Sequence, residues 1–197
     1  QTVNSRIAFY SSLFFTADPF FIIFTYSCIS ESLFTFFCIL AGYFFSKIIA
    51  DNFQSKTLVN IIPSAVFFGL ATLTRPITTY LPLVIGIILL IHLRKDIKSA
   101  SSLIVLFVLF FILTLSPWLI RNYVTFKSFS LSTSGPYNFL YLHVGEAELE
   151  RRNQPPSIVY TELTSEVESL IIEDGKRPEK LNPFEKANYW QKLAFYY

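Results

Sequence analysis

Two long apolar runs, residues 32–49 and 101–120, most constrain what this chain can fold into. As an α-helix each run would extend about 27–30 Å, which matches the hydrocarbon core of a bilayer. A helix satisfies its backbone hydrogen bonds within one segment, as hydrocarbon requires. The two runs therefore predict membrane-spanning helices.

Charged residues are distributed unevenly along the 197 residues. Residues 1–120 hold seven Lys or Arg and four Asp or Glu, whereas residues 121–197 hold nine and ten. The first part is predicted to be a polytopic transmembrane helix bundle of about five apolar segments. The second is predicted to be a mostly helical extracytoplasmic segment, which makes the whole fold all-α.

Shorter apolar segments complete the predicted bundle. A helix over 7–16 is broken by Asp18-Pro19, and residues 20–29 suit an interfacial or re-entrant segment. A polar connection over 50–60 leads to a helix of about 21 Å over 61–74, which residues 76–93 follow with no real loop. Alternatively, 61–93 form one re-entrant hairpin.

The basic residues of the short loops orient the bundle. By the positive-inside rule, the membrane side that carries these basic residues faces the cytoplasm. They are Lys47, Lys56, Arg94, Lys95 and Lys98. The opposite side then receives Glu31, the Arg75 corner and everything after Arg121. The chain is therefore expected to be a multi-pass inner-membrane protein.

Two amphipathic helices are predicted in the charged segment. The first covers 161–173, ends before Gly175, and has one apolar face. That face holds Leu163, Val167, Leu170 and Ile171. The second begins at Asn182, with Pro183 at the first helical position and Glu185 reaching back to the cap.

Glu31 needs an explanation, because a carboxylate beside hydrocarbon is costly without a partner, water or a reaction. One explanation is local: Ser30 caps the helix, and the negative charge favours the positive end of the helix dipole. The other is functional, since Tyr26, Ser27 and Ser30 cluster beside the carboxylate and could bind a hydroxylated substrate.

Arg75 follows a segment that is too short to cross the hydrocarbon unaided. We therefore expect its guanidinium below the headgroups, where it could grip a phosphate through two parallel hydrogen bonds. Alternatively, it snorkels to the surface beside Pro76. Arg121, which follows Trp118 at the end of the last span, is either an ordinary interfacial anchor or a site residue.

Several site types are absent from the sequence. It has no Gly-rich phosphate loop, nucleophile elbow, zinc helix motif or Cys pair at ligand spacing. Acids match the basic residues of 121–197, which argues against a nucleic-acid partner. No metal site is assigned.

Three motifs occur in the order and spacing of the GT-C membrane glycosyltransferases. They are SESLFTFFCILAGYFF (30–45), GLATLTRPITTYLPLVIG (69–86) and SPWLIRNYVTFKSFSLSTSGPYN (116–138). The chain most resembles the bacterial branch that groups Rgt-type galacturonosyltransferases with relatives of protein O-mannosyltransferases and the aminoarabinose transferase of lipid A. The resemblance covers residues 5–145, and more loosely the helix after Asn182.

The resemblance implies an enzyme that takes a sugar from a polyprenyl-phosphate carrier. It implies transfer with inversion to a glycan, lipid or protein acceptor at the outer membrane face, among membrane lipids. It places Ser30 and catalytic Glu31 beside the active site and Thr74 and Arg75 near the carrier phosphate. The Pro-Trp-x-x-Arg-Asn stretch, with Arg121 and Asn122, opens the extracytoplasmic part.

The family's principal catalytic aspartate would lie upstream of Gln1. We therefore expect the chain to be a piece of a longer protein and to be inactive alone. In the first hypothesis Glu31 supports that aspartate, binds the acceptor or helps to hold a divalent metal ion, the one candidate cofactor. Arg75 and Arg121 stabilise the departing phosphate. The alternatives are a transporter or flippase of lipid-linked sugars, which needs access from both faces, and a non-catalytic polytopic membrane protein.

Overall fold

The computed structural model of the chain describes residues 4–26, 30–50 and 57–197. These residues form helices, turns and loops without a β-strand, which confirms the all-α prediction for the described part. The α-helices in chain order are α1 (Ser5–Ala17), α2 (Pro19–Tyr26), α3 (Ser30–Ala50), α4 (Thr57–Thr74), α5 (Leu81–His92), α6 (Ile97–Phe126), α7 (Ser134–Asn138), α8 (Gly145–Arg152), α9 (Pro156–Glu173) and α10 (Pro183–Ala194). Ser27 and most of the predicted polar connection, 51–56, lie outside the described residues.

Proline sets two of the helix ends, as predicted. The residue before a proline is pushed out of the α conformation by the ring. Asp18 is accordingly extended (φ −63°, ψ 117°), so α1 ends and Pro19 begins α2. Arg75 is extended in the same way (φ −142°, ψ 114°), and a short 3₁₀ helix, Pro76–Tyr80, leads from it into α5.

Helix α4 is longer than the sequence suggested. It begins at Thr57, four residues before the predicted start at Ile61, and its 18 residues extend about 27 Å. The expectation that Arg75 lies below the headgroups assumed that the preceding helix is about 21 Å long, and this length is wrong. Arg75 follows a helix of nearly full bilayer length.

Helix α6 also exceeds its prediction, since it runs for 30 residues through Pro117 to Phe126. A proline inside a helix leaves the carbonyl four residues earlier without its usual donor. Here Ser116 Oγ donates to the Leu113 carbonyl at 2.8 Å, which compensates for the missing N–H. The predicted end at Ile120 is wrong, since α6 continues for six more residues, and Arg121 and Asn122 lie on the helix.

The chain divides into two compact units, residues 1–117 and 118–197. In the first unit, α3 and α4 form the most extensive helix pair. Ser64 Oγ donates to the Ala41 carbonyl at 3.1 Å, and both residues are fully buried. Phe67 stacks on Phe37 and on Phe44, with ring centroids 6.3 and 5.8 Å apart. The assignment of 1–120 to a bundle and of 121–197 to an extracytoplasmic segment stays a prediction.

Apolar side chains cover much of the outer surface of the first unit. Two described helices, α3 and α6, are long and apolar enough to cross a membrane. Only 11% of the most apolar stretch of α3 and 22% of that of α6 is buried. An apolar core helix of a soluble protein would be mostly buried, so these faces suit contact with lipid.

The second unit packs α7–α10 around a core of its own. The predicted apolar face of α9 is confirmed, although α9 begins at Pro156, five residues earlier than expected. The buried core residues are Leu140, Val159, Leu163, Val167, Ile171, Tyr189, Leu193 and Ala194. The predicted start of α10 is confirmed: Asn182 Oδ1 accepts from the backbone of Phe184 and Glu185, and the Glu185 carboxylate accepts from Asn182 N.

Candidate functional site

The α3–α4 pair brings Glu31 and Arg75 together. Glu31 precedes Ala41 by ten residues and Arg75 follows Ser64 by eleven, so the two lie at about the same level of an antiparallel pair held at Ala41 and Ser64. Arg75 Nη1 donates to Glu31 Oε1 at 2.9 Å. These residues are 44 positions apart in sequence, and the fold makes them an ion pair.

The ion pair is incomplete on both sides. The Arg75 side chain is 45% exposed, and its guanidinium makes one hydrogen bond to a described residue out of five N–H groups that can donate. The Glu31 side chain is 30% exposed, yet its Oε2 is buried and bonds to no described residue. A buried polar atom without a partner is rare in folded proteins and calls for a ligand or a water. The pair therefore offers both donors and an acceptor to a bound molecule.

Threonine hydroxyls fix the corner that carries Arg75. Thr72 is fully buried, and its hydroxyl lies 2.8 Å from that of Thr78 on the following 3₁₀ helix. The predicted binding residue Thr74 directs its hydroxyl to the carbonyl of Ala71 at 2.7 Å. These contacts hold the chain reversal at Arg75, and a substrate-binding role for Thr74 stays a prediction.

The other residues predicted near Glu31 are described in part. Ser30 is the first residue of α3 and is exposed, directly before Glu31. Tyr26 is the last residue of α2, and its side chain lies outside the described part of the structure, as does Ser27. The substrate-binding roles of Ser30 and Tyr26 stay predictions.

Arg121 and Asn122 belong to the second unit, where their described contacts are internal. The Arg121 guanidinium lies over the rings of Trp118 and Phe126, 5.0 and 5.3 Å from their centroids, and donates to Asn122 Oδ1 at 3.0 Å. Asn122 is fully buried and donates its amide to the carbonyl of Ser130 at 2.9 Å. This geometry describes an anchor at the end of α6. The predicted roles of both residues toward a donor phosphate or substrate stay untested.

The described residues do not gather the side chains that usually hold a metal ion. Within 4–26, 30–50 and 57–197, no three His, Cys, Asp or Glu side chains lie close enough to share a cation. The positive charge of Arg75 beside Glu31 also opposes a second cation there. A divalent ion at Glu31 remains a proposal.

A cavity in the second unit was not foreseen from the sequence. It has a volume of about 410 Å³ and is called the tyrosine cavity below. Its lining residues are Tyr137, Tyr141, Leu142, Tyr160 and Thr164. The spacing of Tyr137 and Tyr141 is a usable signal, because residues four apart share a helix face. The contribution of α9 to the lining is long-range and has no local signal.

Comparison with known proteins returned one family. The sequence profile described as dolichyl-phosphate-mannose-protein mannosyltransferase matches residues 1–120, which include α1–α5, Glu31, Arg75 and most of α6. Neither a search of curated proteins nor a search of solved structures gave a significant match.

Proposed function

The chain belongs to the dolichyl-phosphate-mannose-protein mannosyltransferase family, and from this premise we propose the reaction and the roles of its residues. Family membership and the two long apolar helices make it a membrane protein of the glycosyltransferase class. In the proposed reaction, a sugar passes from a polyprenyl-phosphate donor to a hydroxyl of a glycan, lipid or protein on the extracytoplasmic face, with inversion.

The ion pair of Glu31 and Arg75 is the observation that carries this proposal. A phosphate leaving group gains negative charge as the glycosidic bond breaks, and a guanidinium can bind its oxygens through parallel hydrogen bonds. Arg75 is half exposed and keeps most of its donors for such a ligand. Glu31 orients the guanidinium, and a preplaced cation in a poorly hydrated cleft stabilises developing charge strongly.

Glu31 has a second proposed role toward the acceptor. Its Oε2, which has no partner among the described residues, can accept a hydrogen bond from an acceptor hydroxyl. That bond would relieve the cost of a buried unsatisfied oxygen, which is about 1–3 kcal/mol and larger for a charged group. That hydrogen bond would hold the acceptor hydroxyl close to the phosphate that Arg75 is proposed to bind. Orientation of this kind contributes directly to rate.

The proposed chemistry is a single displacement. The acceptor oxygen bonds to the anomeric carbon while the bond from that carbon to the phosphate oxygen breaks, and the electron pair leaves with the phosphate. The hydroxyl proton passes to a carboxylate base. We assign that base to an aspartate outside this chain, with Glu31 in support. A role of Arg121 toward the donor phosphate stays a prediction from the family resemblance.

The membrane arrangement is part of the proposal. We propose a multi-pass inner-membrane protein with residues 121–197 on the extracytoplasmic side, where a lipid-linked donor and an acceptor could meet. The basic residues that orient the bundle favour this topology. Labelling of single cysteines introduced at Lys95 and Lys176 with an impermeant reagent tests it, and labelling of both from the same side would contradict it.

The function is tested by following radiolabelled sugar from a short polyprenyl phosphate to acceptor with full-length protein in detergent. Arg75→Ala is expected to reduce transfer by about 10²-fold or more, as does removal of one preorganised donor in other enzymes. Arg94→Ala, which changes an exposed cation outside the site, serves as the control. Normal transfer in both Glu31→Gln and Arg75→Ala would show that the site assignment is wrong. A wild type that moves the lipid-linked sugar across vesicles without transferring it would be a transporter.

A further inference from the structure

We propose that the second unit carries a carbohydrate-binding site, with one neutral sugar residue held in the tyrosine cavity. This site is separate from the Glu31–Arg75 pair and lies entirely within residues 118–197. The family match ends at residue 120, so it does not extend to the residues of this cavity.

Aromatic rings form the walls of the cavity. The Tyr137 and Tyr141 rings are tilted by 37° with centroids 4.8 Å apart, and Tyr160 from α9 stands edge-on to Tyr141 at 6.3 Å. The face of an aromatic ring is negative, whereas the C–H bonds on one face of a sugar ring are slightly positive. A pyranose can therefore stack against these rings while it keeps its hydroxyl groups at the edge.

Hydroxyl groups supply the polar contacts that a sugar needs. The Tyr141 hydroxyl lies 3.2 Å from Thr164 Oγ1, which itself donates to the Tyr160 carbonyl at 2.8 Å. Thr164 Oγ1 can therefore accept a hydrogen bond, and the Tyr141 hydroxyl can donate or accept. Tyr137 and Tyr160, which also line the cavity, each carry a phenolic hydroxyl. A few polar groups on a mostly apolar wall are typical of small-molecule sites, which hold about 300–1,000 Å³. The volume of about 410 Å³ lies within that range.

The uncharged lining of the tyrosine cavity indicates which class of ligand it can bind. The cavity is lined by tyrosine, leucine and threonine and by no Asp, Glu, Lys or Arg. A phosphate or a sugar acid would lose hydration there without gaining a counter-charge, which is strongly unfavourable. A neutral hexose exchanges its water hydrogen bonds for those of the hydroxyl groups. We therefore assign the cavity to neutral sugars.

The backbone is shaped to place these rings. The segment Phe139–Val144 is π-helical, a rare geometry that occurs often at functional sites. Directly after it, Gly145 lets Tyr160 lie close, since a Cβ at position 145 would stand 2.7 Å from Cε1 of Tyr160. Trp190 of α10 packs edge-on against Tyr137 and Tyr141, at 5.4 and 6.4 Å. Helices α7, α9 and α10 and the π-helical segment thus hold the walls.

Binding can be measured without any donor, which separates this proposal from the transfer reaction. Saturation-transfer NMR with the protein in nanodiscs would use methyl mannopyranoside and a mannotrioside as neutral probes, and methyl glucuronopyranoside as the anionic probe. We expect saturable contact with the neutral probes and at least tenfold weaker contact with the anionic one. Glu31→Gln should leave this binding unchanged even when it abolishes transfer.

Matched variants locate the site. Tyr160→Ala removes one wall, Thr164→Val removes one hydroxyl with little change in volume, and Gly145→Ala displaces Tyr160. Tyr160→Ala is expected to weaken neutral-sugar binding by about tenfold, since a ring contact accounts for roughly that factor. Tyr196→Ala is the control, because Tyr196 is 71% exposed and does not line the cavity.

Several results would overturn the proposal. They are absence of saturable binding to both neutral probes, equal binding of the glucuronoside, and unchanged binding in both Tyr160→Ala and Thr164→Val. If Tyr160→Ala fails to fold, as judged by circular dichroism, Thr164→Val and Gly145→Ala still decide the outcome. Normal transfer in both Glu31→Gln and Arg75→Ala with intact sugar binding would contradict only the proposed function of the first unit.

Discussion

Gly69 on α4 lies directly against Thr114 on α6: a Cβ at position 69 would be 2.7 Å from the Thr114 Cβ and 2.9 Å from its Cγ2. Thr114 is held in place, because its hydroxyl donates to the carbonyl of Phe110 at 2.8 Å. Small residues let helices approach closely in membrane bundles. Helix α4, which Arg75 directly follows, therefore packs closely against α6 at Gly69.

Replacement of Gly69 by alanine should destabilise the first unit. The added methyl group must push Thr114 or the helix aside, and overpacking of this kind costs about 1–3 kcal/mol. A lower midpoint of thermal unfolding in detergent checks the prediction. Gly42→Ala is the matched control, since no atom lies within 4 Å of a Cβ at that position on α3. Equal losses in the two variants would contradict the contact.

The Glu31–Arg75 pair should matter more to activity than to stability. Its side chains are 30% and 45% exposed, and exposed ion pairs contribute about 0.2–1 kcal/mol. A double-mutant cycle of Glu31→Gln and Arg75→Ala should therefore show coupling below about 1 kcal/mol in unfolding. Transfer by either single variant should fall by about 10² or more. A loss of activity that only follows a loss of folding would reduce the pair to a structural role.

Substitutions at Arg75 and at Glu31 should also change different kinetic constants. Arg75→Lys keeps the charge but loses the planar fork, so we expect partial transfer with a weaker affinity for the lipid donor. Glu31→Gln keeps the size of the side chain and should lower kcat for the acceptor step. An unchanged donor KM in Arg75→Lys would argue against phosphate contact at this residue.

Local signals in the sequence predicted the helix ends that are marked by a proline or a capping box. Pro19 and Pro76 each force the preceding residue out of the helix, and Asn182 with Glu185 forms the expected capping box. Each depends on residues that are neighbours in the chain. The predicted orientation of the bundle placed Glu31 and Arg75 on the same side of the membrane, and the ion pair itself comes from the packing of α3 against α4.

The sequence did not reveal the contacts by which one residue makes room for, or satisfies the hydrogen bond of, another. The predicted span over 101–120 already included Pro117, but the Ser116 hydroxyl that satisfies the carbonyl left free by the proline was not foreseen, nor was the continuation of α6 to Phe126. The wall that Tyr160 adds to the tyrosine cavity depends on Gly145, fifteen residues earlier. Such pairs arise from packing between helices and have no periodic pattern in one segment.

The stability of the second unit should depend on the charge of Glu148. Arg151 and Arg152 donate to its carboxylate, and Arg152 also binds Glu162, which joins α8 to α9. The hydrogen bond from Arg151, followed by that from Arg152, lowers the pKa of Glu148 below its ordinary value of 4.5. The ionised group stabilises the fold above pH 4.5, and this contribution is lost as pH falls through the lowered pKa.

Glu148→Gln isolates this effect. The melting temperature of the variant should lie below that of the wild type at neutral pH, and the difference should shrink as pH falls below 4.5. Differential scanning calorimetry between pH 3 and pH 7 measures it. Glu168→Gln, an exposed change on α9, is the control and should follow the wild type at every pH. A difference that stays constant with pH would mean that the ionised state of Glu148 does not stabilise the unit.

Asn122 allows the structural and the substrate-binding interpretations of the Pro-Trp-x-x-Arg-Asn stretch to be separated. It is fully buried, accepts from Arg121 and donates to Ser130, so its described polar contacts are all within the protein. Asn122→Ala should therefore lower the free energy of unfolding by about 1–3 kcal/mol, because it removes two hydrogen bonds of a fully buried side chain, each of which contributes about 0.5–1.5 kcal/mol. Once corrected for the folded fraction, transfer should be close to that of the wild type, with an unchanged KM for donor. Unfolding curves and transfer rates measured on the same preparation give both quantities. A raised donor KM in a fully folded Asn122→Ala protein would instead place this residue at the substrate, as the family resemblance implies.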